Sequence, residues 1–225
     1  MKIARSGKEL LEICAAEQIS LSEYAIRQEM ELKNVSREDL FAQMKITLDA
    51  MKESATAGRE KKVYSLSGLI GGDAYRLQQY CNTGNSLMGN GIVMAMAMAI
   101  SSSEVNGAMA SAAVVELMGG TPKMSLDAAA IIFKNVLGLV CDPVAGLVEI
   151  PCAKRNVSGA INALCTADMV MAGVNSKIPF DDAVAAMYKV GTGLPEELRE
   201  TALGGCAITP TGKALQEKVF GKKEN

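Results

Sequence analysis

The chain has 225 residues, a formal net charge of −2 and 49% hydrophobic residues, which is enough apolar mass for one sizeable core. Aromatic residues make up only 4% and Trp is absent, which favours closely packed helices over a β-sandwich. Charges of both signs are mixed along the chain, which argues against nucleic-acid binding. The chain contains no His, so any catalytic base is a Lys, a carboxylate or a thiolate, or comes from a partner chain.

No targeting or membrane segment is recognisable in the sequence. The opening MKIARSGKELLEI lacks the apolar core of a signal peptide, and the longest apolar run, GIVMAMAMAI, is too short to cross a bilayer. We therefore expect a cytoplasmic chain that does not bind a membrane. In that compartment its six cysteines are expected to be free or metal-bound, and no C-x-x-C motif is present.

Residues 6–62 have the pattern of successive helices. Ser6 and Ser36 are each followed three positions later by an acidic residue, which predicts helix N-caps. Gly58 is a candidate helix end, and residues 59–62 (REKK) are expected to form a solvated linker. One helix face is predicted to carry the apolar residues Leu40, Met44, Leu48 and Met51.

Residues 65–91 are rich in glycine and small polar residues and match neither a P-loop nor a G-x-G-x-x-G motif. One interpretation is a connecting loop with helix caps. The other is a pocket for a small anion or zwitterion, because glycine allows the backbone to approach a ligand closely. In that case the side-chain contacts would be Asp73, Asn82, Thr83, Asn85 and Ser86.

The remaining sequence predicts further helices joined by glycine-rich segments. Residues 87–119 and 124–139 are Ala- and Met-rich, with a break at Gly119–Gly120 and Ser125 as the next cap. NVSGAINALCTADMVMAG predicts a buried helix, and IPFDDAVAAMYKVG and PEELRETALGG predict two short ones. We expect an all-α fold, with an N-terminal helical region over 1–64 and a second helical domain over 65–225.

The cysteines differ in their surroundings. Cys14 and Cys165 lie in helical apolar patterns and are expected in the core. Cys81 and Cys206 lie in glycine-rich turns, where either a structural or a functional role is open. Cys141 and Cys152 bracket the stretch CDPVAGLVEIPC, in which prolines fix the backbone near each thiol. These two could be buried apolar groups, a disulfide, or two ligands of a metal centre, since thiolates suit zinc and iron–sulfur clusters.

Several stretches together resemble one family. SLSGLIGGDAYRLQQY, NTGNSLMGNGI, ELMGGTP, NVLGLVCDPVAGLVEIPCAKRN and GCAITPTG are similar to segments of the α-chain of iron–sulfur-dependent L-serine dehydratase (L-serine ammonia-lyase). The resemblance covers most of the chain. It implies loss of water from L-serine to give aminoacrylate, which becomes pyruvate and ammonia, without pyridoxal phosphate. It also implies a [4Fe–4S] cluster whose open iron acts as a Lewis acid towards the serine hydroxyl.

The resemblance also implies a ligand set and a partner. Cys141 and Cys152 would be two of three cluster ligands. The third cysteine of the family lies in a segment of several tens of residues that is missing here at about Met109. The histidine absent from this chain would come from a separate β-chain.

By the same resemblance, the glycine-rich segments would bind L-serine. Lys154 and Arg155 would hold the substrate carboxylate, unless they form a solvated pair; the catalytic base is unknown. The other expected substrate-binding residues are Ser67, Gly68, Gly71, Gly72, Asp73, Asn82, Thr83, Gly84, Asn85 and Ser86.

Two further hypotheses remain open beside the serine dehydratase. The first is a catalytically inactive helical scaffold or assembly subunit, since the segment with the third cysteine is absent. The second is a metal site between two copies of the chain, each of which donates Cys141 and Cys152. Pyruvate formation identifies the dehydratase, and iron or zinc per chain separates the intermolecular metal site from the others.

Overall fold

The fold is taken from a computed structural model, which describes residues 3–60, 64–65, 67–69 and 102–221. Within these ranges the chain is helical and forms no strand, which confirms the predicted all-α class. The division at residue 64 stays a prediction. The described α-helices are α1 (Gly7–Glu17), α2 (Leu21–Lys33), α3 (Arg37–Glu60), α4 (Ser102–Leu117), α5 (Pro122–Asn135), α6 (Cys152–Met171), α7 (Phe180–Gly193) and α8 (Pro210–Phe220).

The N-terminal caps follow the sequence, whereas the end of α3 does not. Ser6 and Ser36 each accept a hydrogen bond from the backbone N–H three residues later, both at 3.1 Å. Helix α3 continues to Glu60, so Gly58 does not end it and the first half of the expected linker is helical. A single glycine costs only about 1 kcal/mol within a helix, which is too little to stop a long one.

The predicted apolar stripe of α3 faces the core only at its start. Leu40 is buried, but Met44 is 38% exposed, and the side chain of Met51 lies outside the description. Among the described elements, α3 packs mainly on α2. The periodicity was therefore right for a helix but does not mark a fully buried face.

Among the described helices, α4 packs most extensively, against both α5 and α6. Its side chains are small on several sides: Ala108 and Ala110 are fully buried, as is Val115. At Gly107 a Cβ atom would lie 3.5 Å from the carbonyl oxygen of Gly159 on α6. Small residues let these helices approach closely, which explains the Ala-rich composition of this region.

Helices α1 and α2 share this core. Leu10 and Tyr24 are buried in the cluster that contains Phe133 of α5 and Phe180 of α7, whose ring centroids are 5.9 Å apart. The Asp181 carboxylate of α7 accepts the backbone N–H groups of Gly7 and Lys8 at 2.6 and 3.1 Å. A carboxylate at a helix N-terminus is favourable because it meets unpaired N–H groups and the positive end of the helix dipole.

Ser125 does not cap α5, contrary to the sequence prediction. The cap is Thr121, whose hydroxyl accepts the N–H of Met124 at 3.3 Å, and Pro122 is the first helical residue. Proline favours this first position because its fixed φ suits the helix and its missing N–H is not needed there. Ser125 is therefore inside the helix and buried, and its Oγ has no hydrogen-bond partner among the described atoms.

Two further predictions were wrong in part. PEELRETALGG contains only a 3-10 turn over Glu196–Leu198, because the following backbone is drawn into an isolated β-bridge between Arg199 and Cys141. Cys165 is exposed rather than in the core, since α6 packs inward through other positions such as Ala163 and Ala167. Cys14 is buried as predicted.

A charged cluster joins α2 to the start of α3. The Glu23 carboxylate accepts hydrogen bonds from the guanidinium of Arg37, the shortest at 2.7 Å, and from Arg27 at 2.8 Å. The hydrogen bonds from Arg37 and then Arg27 lower the pKa of Glu23 from 4.5 to about 2. Because this pKa is depressed in the folded state, the stabilisation is present above about pH 4.5 and is lost as the pH falls towards 2.

Replacing Glu23 with Gln is therefore expected to lower the free energy of unfolding near neutral pH by less than about 1 kcal/mol, since the group is partly solvated. The difference from wild type should shrink as the pH falls below the usual Glu range. Urea unfolding at several pH values measures it, with Glu29→Gln as a control at another exposed ion pair. A difference that stays constant down to acid pH would contradict the assignment.

A search of the described helices for a segment long and apolar enough to cross a membrane found none.

Candidate metal and substrate site

Cys141 is fixed through its backbone. Its N–H donates to the carbonyl of Leu198 at 2.9 Å, and its carbonyl accepts the N–H of Glu200 at 2.7 Å. These two bonds form the parallel bridge between Cys141 and Arg199. The thiol is half-buried on a backbone that cannot shift without breaking both bonds.

Asp142, the next residue, is the most buried charged group of the site, with 2% of its surface exposed. Its Oδ2 accepts the backbone N–H of Cys206 at 2.6 Å. Its Oδ1 lies 2.9 Å from Nη2 of Arg155, a close ion pair that is not aligned as a hydrogen bond. Burial raises the pKa of Asp142, but the hydrogen bonds from Cys206 and the charge of Arg155 outweigh it, so the pKa lies below its usual value.

Arg155 connects the first turn of α6 to this segment. Besides the contact with Asp142, its Nη1 donates to the carbonyl of Val140 at 2.6 Å. Both terminal nitrogens of the guanidinium therefore face groups of the same chain. The neighbouring Lys154 is exposed. Whether either residue binds a substrate carboxylate stays a prediction.

Cys152 is the first residue of α6 and is buried, with 7% exposed. Burial raises the pKa of its thiol, and the nearby charge of Arg155 opposes that effect. The stretch from Cys141 to Cys152 folds back on itself, because the N–H of Val144 donates to the carbonyl of Ile150 at 2.8 Å. Ala145 and Gly146 have positive φ at the turn, and the Ile150–Pro151 peptide bond is cis.

Part of the predicted substrate pocket contacts this stretch. The backbone N–H of Ser67 lies 3.3 Å from Oε1 of Glu149, and the Ser67 hydroxyl donates to Oε2 of the same carboxylate. Gly68 has φ of +71° and open space where a Cβ would be. The other glycine-rich candidates (Gly71, Gly72, Asp73, Asn82, Thr83, Gly84, Asn85 and Ser86) lie outside the described residues, as does Cys81.

Cys206 is the site residue that the sequence left undecided. It follows Gly204 and Gly205 in a 3-10 turn that packs on Asp142. Cys206 is exposed, but the Asp142 carboxylate, as acceptor of a hydrogen bond from its thiol, raises the pKa of Cys206. The sequence signals were the pair of glycines before it, which indicates a close backbone approach, and the family-like stretch GCAITPTG, but neither indicates the partner.

Within the ranges that the structure describes, no three Cys, Asp or Glu side chains are grouped so as to hold a metal ion. The residues near Cys141 and Cys152 contact each other through the Asp142–Arg155 ion pair, but none of the described residues is grouped with the two cysteines as a third ligand. Their assignment to a cluster stays a prediction.

Comparison with known sequences gives the family. A sequence model described as "Serine dehydratase alpha chain" matches residues 16–109 and, separately, residues 106–207. The chain therefore belongs to the serine dehydratase alpha chain family.

Individual relatives agree with the family match. The chain is 39% identical to the probable L-serine dehydratase alpha chain of Bacillus subtilis, with 96% of this chain and 95% of the relative covered. It is 32% identical to the L-serine dehydratase alpha chain of Peptoniphilus asaccharolyticus, with 94% and 96% covered. A probable L-serine dehydratase alpha chain of Latilactobacillus sakei is 58% identical over 115 residues.

The comparisons also locate the missing segment. The alignment with the Bacillus protein spans 287 positions, whereas this chain has 225 residues, so several tens of positions have no counterpart here. The two matches of the family model meet at residues 106–109, where the sequence predicted the gap. In the structure this place lies inside α4, which runs without a break from Ser102 to Leu117.

Proposed function

We propose that this chain is the α subunit of an L-serine dehydratase, which converts L-serine to pyruvate and ammonia. The observation that carries the proposal is the family match over residues 16–207, since near full-length relatives are named for that reaction. The order of the cysteine, glycine-rich and C-terminal segments agrees with it. The whole activity is a property of the assembled enzyme, of which this chain is one part.

The proposal includes a [4Fe–4S] cluster with Cys141 and Cys152 as two of its protein ligands. The two thiols suit iron, and Asp142 and Arg155, which lie near them in sequence, form a close ion pair. They fit a cluster as two of three ligands, while the described residues do not group a third with them. When bound, an iron without a protein ligand supplies a Lewis acid for the hydroxyl that leaves serine.

The other side chains of the site would bind the substrate. Ser67, oriented by the Glu149 carboxylate, would contact L-serine through its hydroxyl. The exposed ammonium of Lys154 would attract the substrate carboxylate, whereas the guanidinium of Arg155 is already engaged by Asp142 and Val140. Because the chain has no His, an imidazole base would come from the proposed β-chain.

A specific observation favours the inactive-scaffold alternative as a second candidate. The gap relative to the family falls within the unbroken helix α4, whose centre at Met109 is buried between its neighbours. The shortened chain thus keeps its helical core while it lacks the segment with the expected third cysteine. Such a chain would fold and assemble but hold no cluster.

Three measurements on one anaerobic preparation decide between these functions: the intact mass of the chain, iron per chain, and pyruvate formed from L-serine with the β-chain present. Iron and pyruvate together support the dehydratase. A mass of 23.7 kDa without iron or pyruvate supports the scaffold and contradicts the proposal. A larger mass with iron and pyruvate would show that the native chain retains the segment missing from this sequence.

A further inference from the structure

We propose that the Asp142–Arg155 pair is a positioning device that fixes Cys141 and Cys152 relative to each other. This inference deepens the proposed function, because it concerns the two cysteines assigned there to the cluster. It gives Arg155 a role other than substrate binding. It also explains why a carboxylate is buried directly beside one of the two thiols.

The positions of the two charged residues are the first argument. Asp142 follows Cys141 directly, and Arg155 lies three residues after Cys152 on α6, which places it on the same helix face as that cysteine. The 2.9 Å contact between them therefore joins the two ends of the stretch that separates the thiols. A shift of either end would separate a buried charge from its partner.

The burial of the pair is the second argument. The side chains of Asp142 and Arg155 are only 3% and 20% exposed. A surface ion pair contributes little, but breaking a buried one leaves an uncompensated charge, which is strongly unfavourable. The pair therefore resists separation far more than an exposed pair such as Lys45 with Asp49.

The third argument is that three segments meet on these two side chains. Arg155 also donates to the carbonyl of Val140, so it contacts the backbone on the other side of Cys141. Asp142 also accepts the N–H of Cys206, and this hydrogen bond joins the turn at Gly205 to Asp142. Along the chain, Cys141 is thus flanked by two residues that both contact Arg155, on the helix that carries Cys152.

The same contacts argue against Arg155 as the substrate carboxylate ligand. Both terminal nitrogens of its guanidinium already face acceptors of this chain. If both contacts are kept, only the remaining N–H donors of the guanidinium could reach a substrate carboxylate. A substrate-binding Arg155 would change the KM for serine, whereas a positioning Arg155 changes the environment of the thiols before any substrate is present.

The test measures thiol reactivity in the full-length chain without metal. Asp142→Asn is expected to raise the alkylation rate of the Cys152 thiolate by iodoacetamide by at least about tenfold, because local opening becomes easier, and to leave the buried Cys14 unchanged. The rates are compared per thiolate, from their pH dependence, because loss of the Asp142 charge alone also lowers the pKa of Cys152. Mass spectrometry of the peptides reports each cysteine separately. Asp49→Asn, at an exposed ion pair, is the matched control and should change neither rate.

Arg155→Lys is the second variant, in case Asp142→Asn does not fold. It keeps the positive charge but lacks the planar fork that places one nitrogen at Asp142 and the other at Val140, so a smaller, still selective rise at Cys152 is expected. Equal rises at Cys152 and Cys14 would indicate a merely structural role and would overturn the proposal. No change at Cys152 in a folded variant would overturn it as well.

Anaerobic iron loading then separates this inference from the proposed function. If wild type binds iron, Asp142→Asn should weaken its binding about 10- to 100-fold, as loss of an outer-shell partner does. If wild type binds no iron while the selective rise at Cys152 is seen, the cluster is wrong and the positioning role stands. Full iron affinity in Asp142→Asn would contradict the positioning role alone.

Discussion

Replacing Cys152 with serine is expected to reduce iron binding by at least about 100-fold and to abolish pyruvate formation, whereas Cys165→Ser leaves both unchanged. A serine hydroxyl does not replace a thiolate as a ligand of iron. Cys165 lies on the same helix, α6, and is exposed, so its replacement tests whether any thiol on that helix matters. Iron analysis and the absorption spectrum after anaerobic loading measure the effect.

Burial of Cys152 requires one more control. Cys14 is also buried, but in the core formed by α1, α2 and α5, so Cys14→Ser tests the general effect of a hydroxyl in a buried cysteine position. It is expected to lower the thermal unfolding midpoint and leave iron per folded chain unchanged. Iron bound at wild-type level by Cys152→Ser would remove that residue from the proposed ligand set.

Replacing Gly205 with Ala is expected to lower the free energy of unfolding by about 2–4 kcal/mol. Gly205 has φ of +55°, and an added Cβ would lie 2.3 Å from Oδ2 and 2.6 Å from Cβ of Asp142. The new methyl group would displace the carboxylate that joins Cys206 to Arg155. Urea unfolding measures the change.

Gly146→Ala separates the two causes of that loss. Gly146 has a similar φ of +69°, but nothing lies within 4 Å of its added Cβ, so only backbone strain of about 1 kcal/mol is expected. The excess loss at Gly205 then measures the contact with Asp142. Equal losses in the two variants would show that the turn at Gly205 does not pack on Asp142 in solution.

The local sequence determined the helical class and several helix starts. Ser6 and Ser36 cap their helices because the cap depends on a hydroxyl and an N–H three residues later in the same chain. Thr121 and Ser125 are both possible caps for α5. Pro122, which favours the first helical position, places the cap at Thr121. Predictions that rest on neighbouring residues thus need no knowledge of the fold, but they fail where two local signals compete, as at Ser125.

The sequence likewise predicted only part of the candidate site. The sequence by itself singled out Cys141 and Cys152, through their prolines and the family resemblance, and it located the missing segment at about Met109. It could not pair Asp142 with Arg155 or place Cys206 on the Asp142 carboxylate, because residues so far apart in sequence meet only when α6 and the turn at Gly205 pack together.

Burial is what the tertiary structure decided. Cys165 and Cys14 both lie in apolar helical patterns, yet one is exposed and the other buried, since periodicity gives a face but not what covers it. Arg155 looked like a solvated cation or a substrate ligand until its guanidinium was seen against Asp142. The sequence determined which chemical groups are present, and only the packing of distant segments decided which of them are buried together.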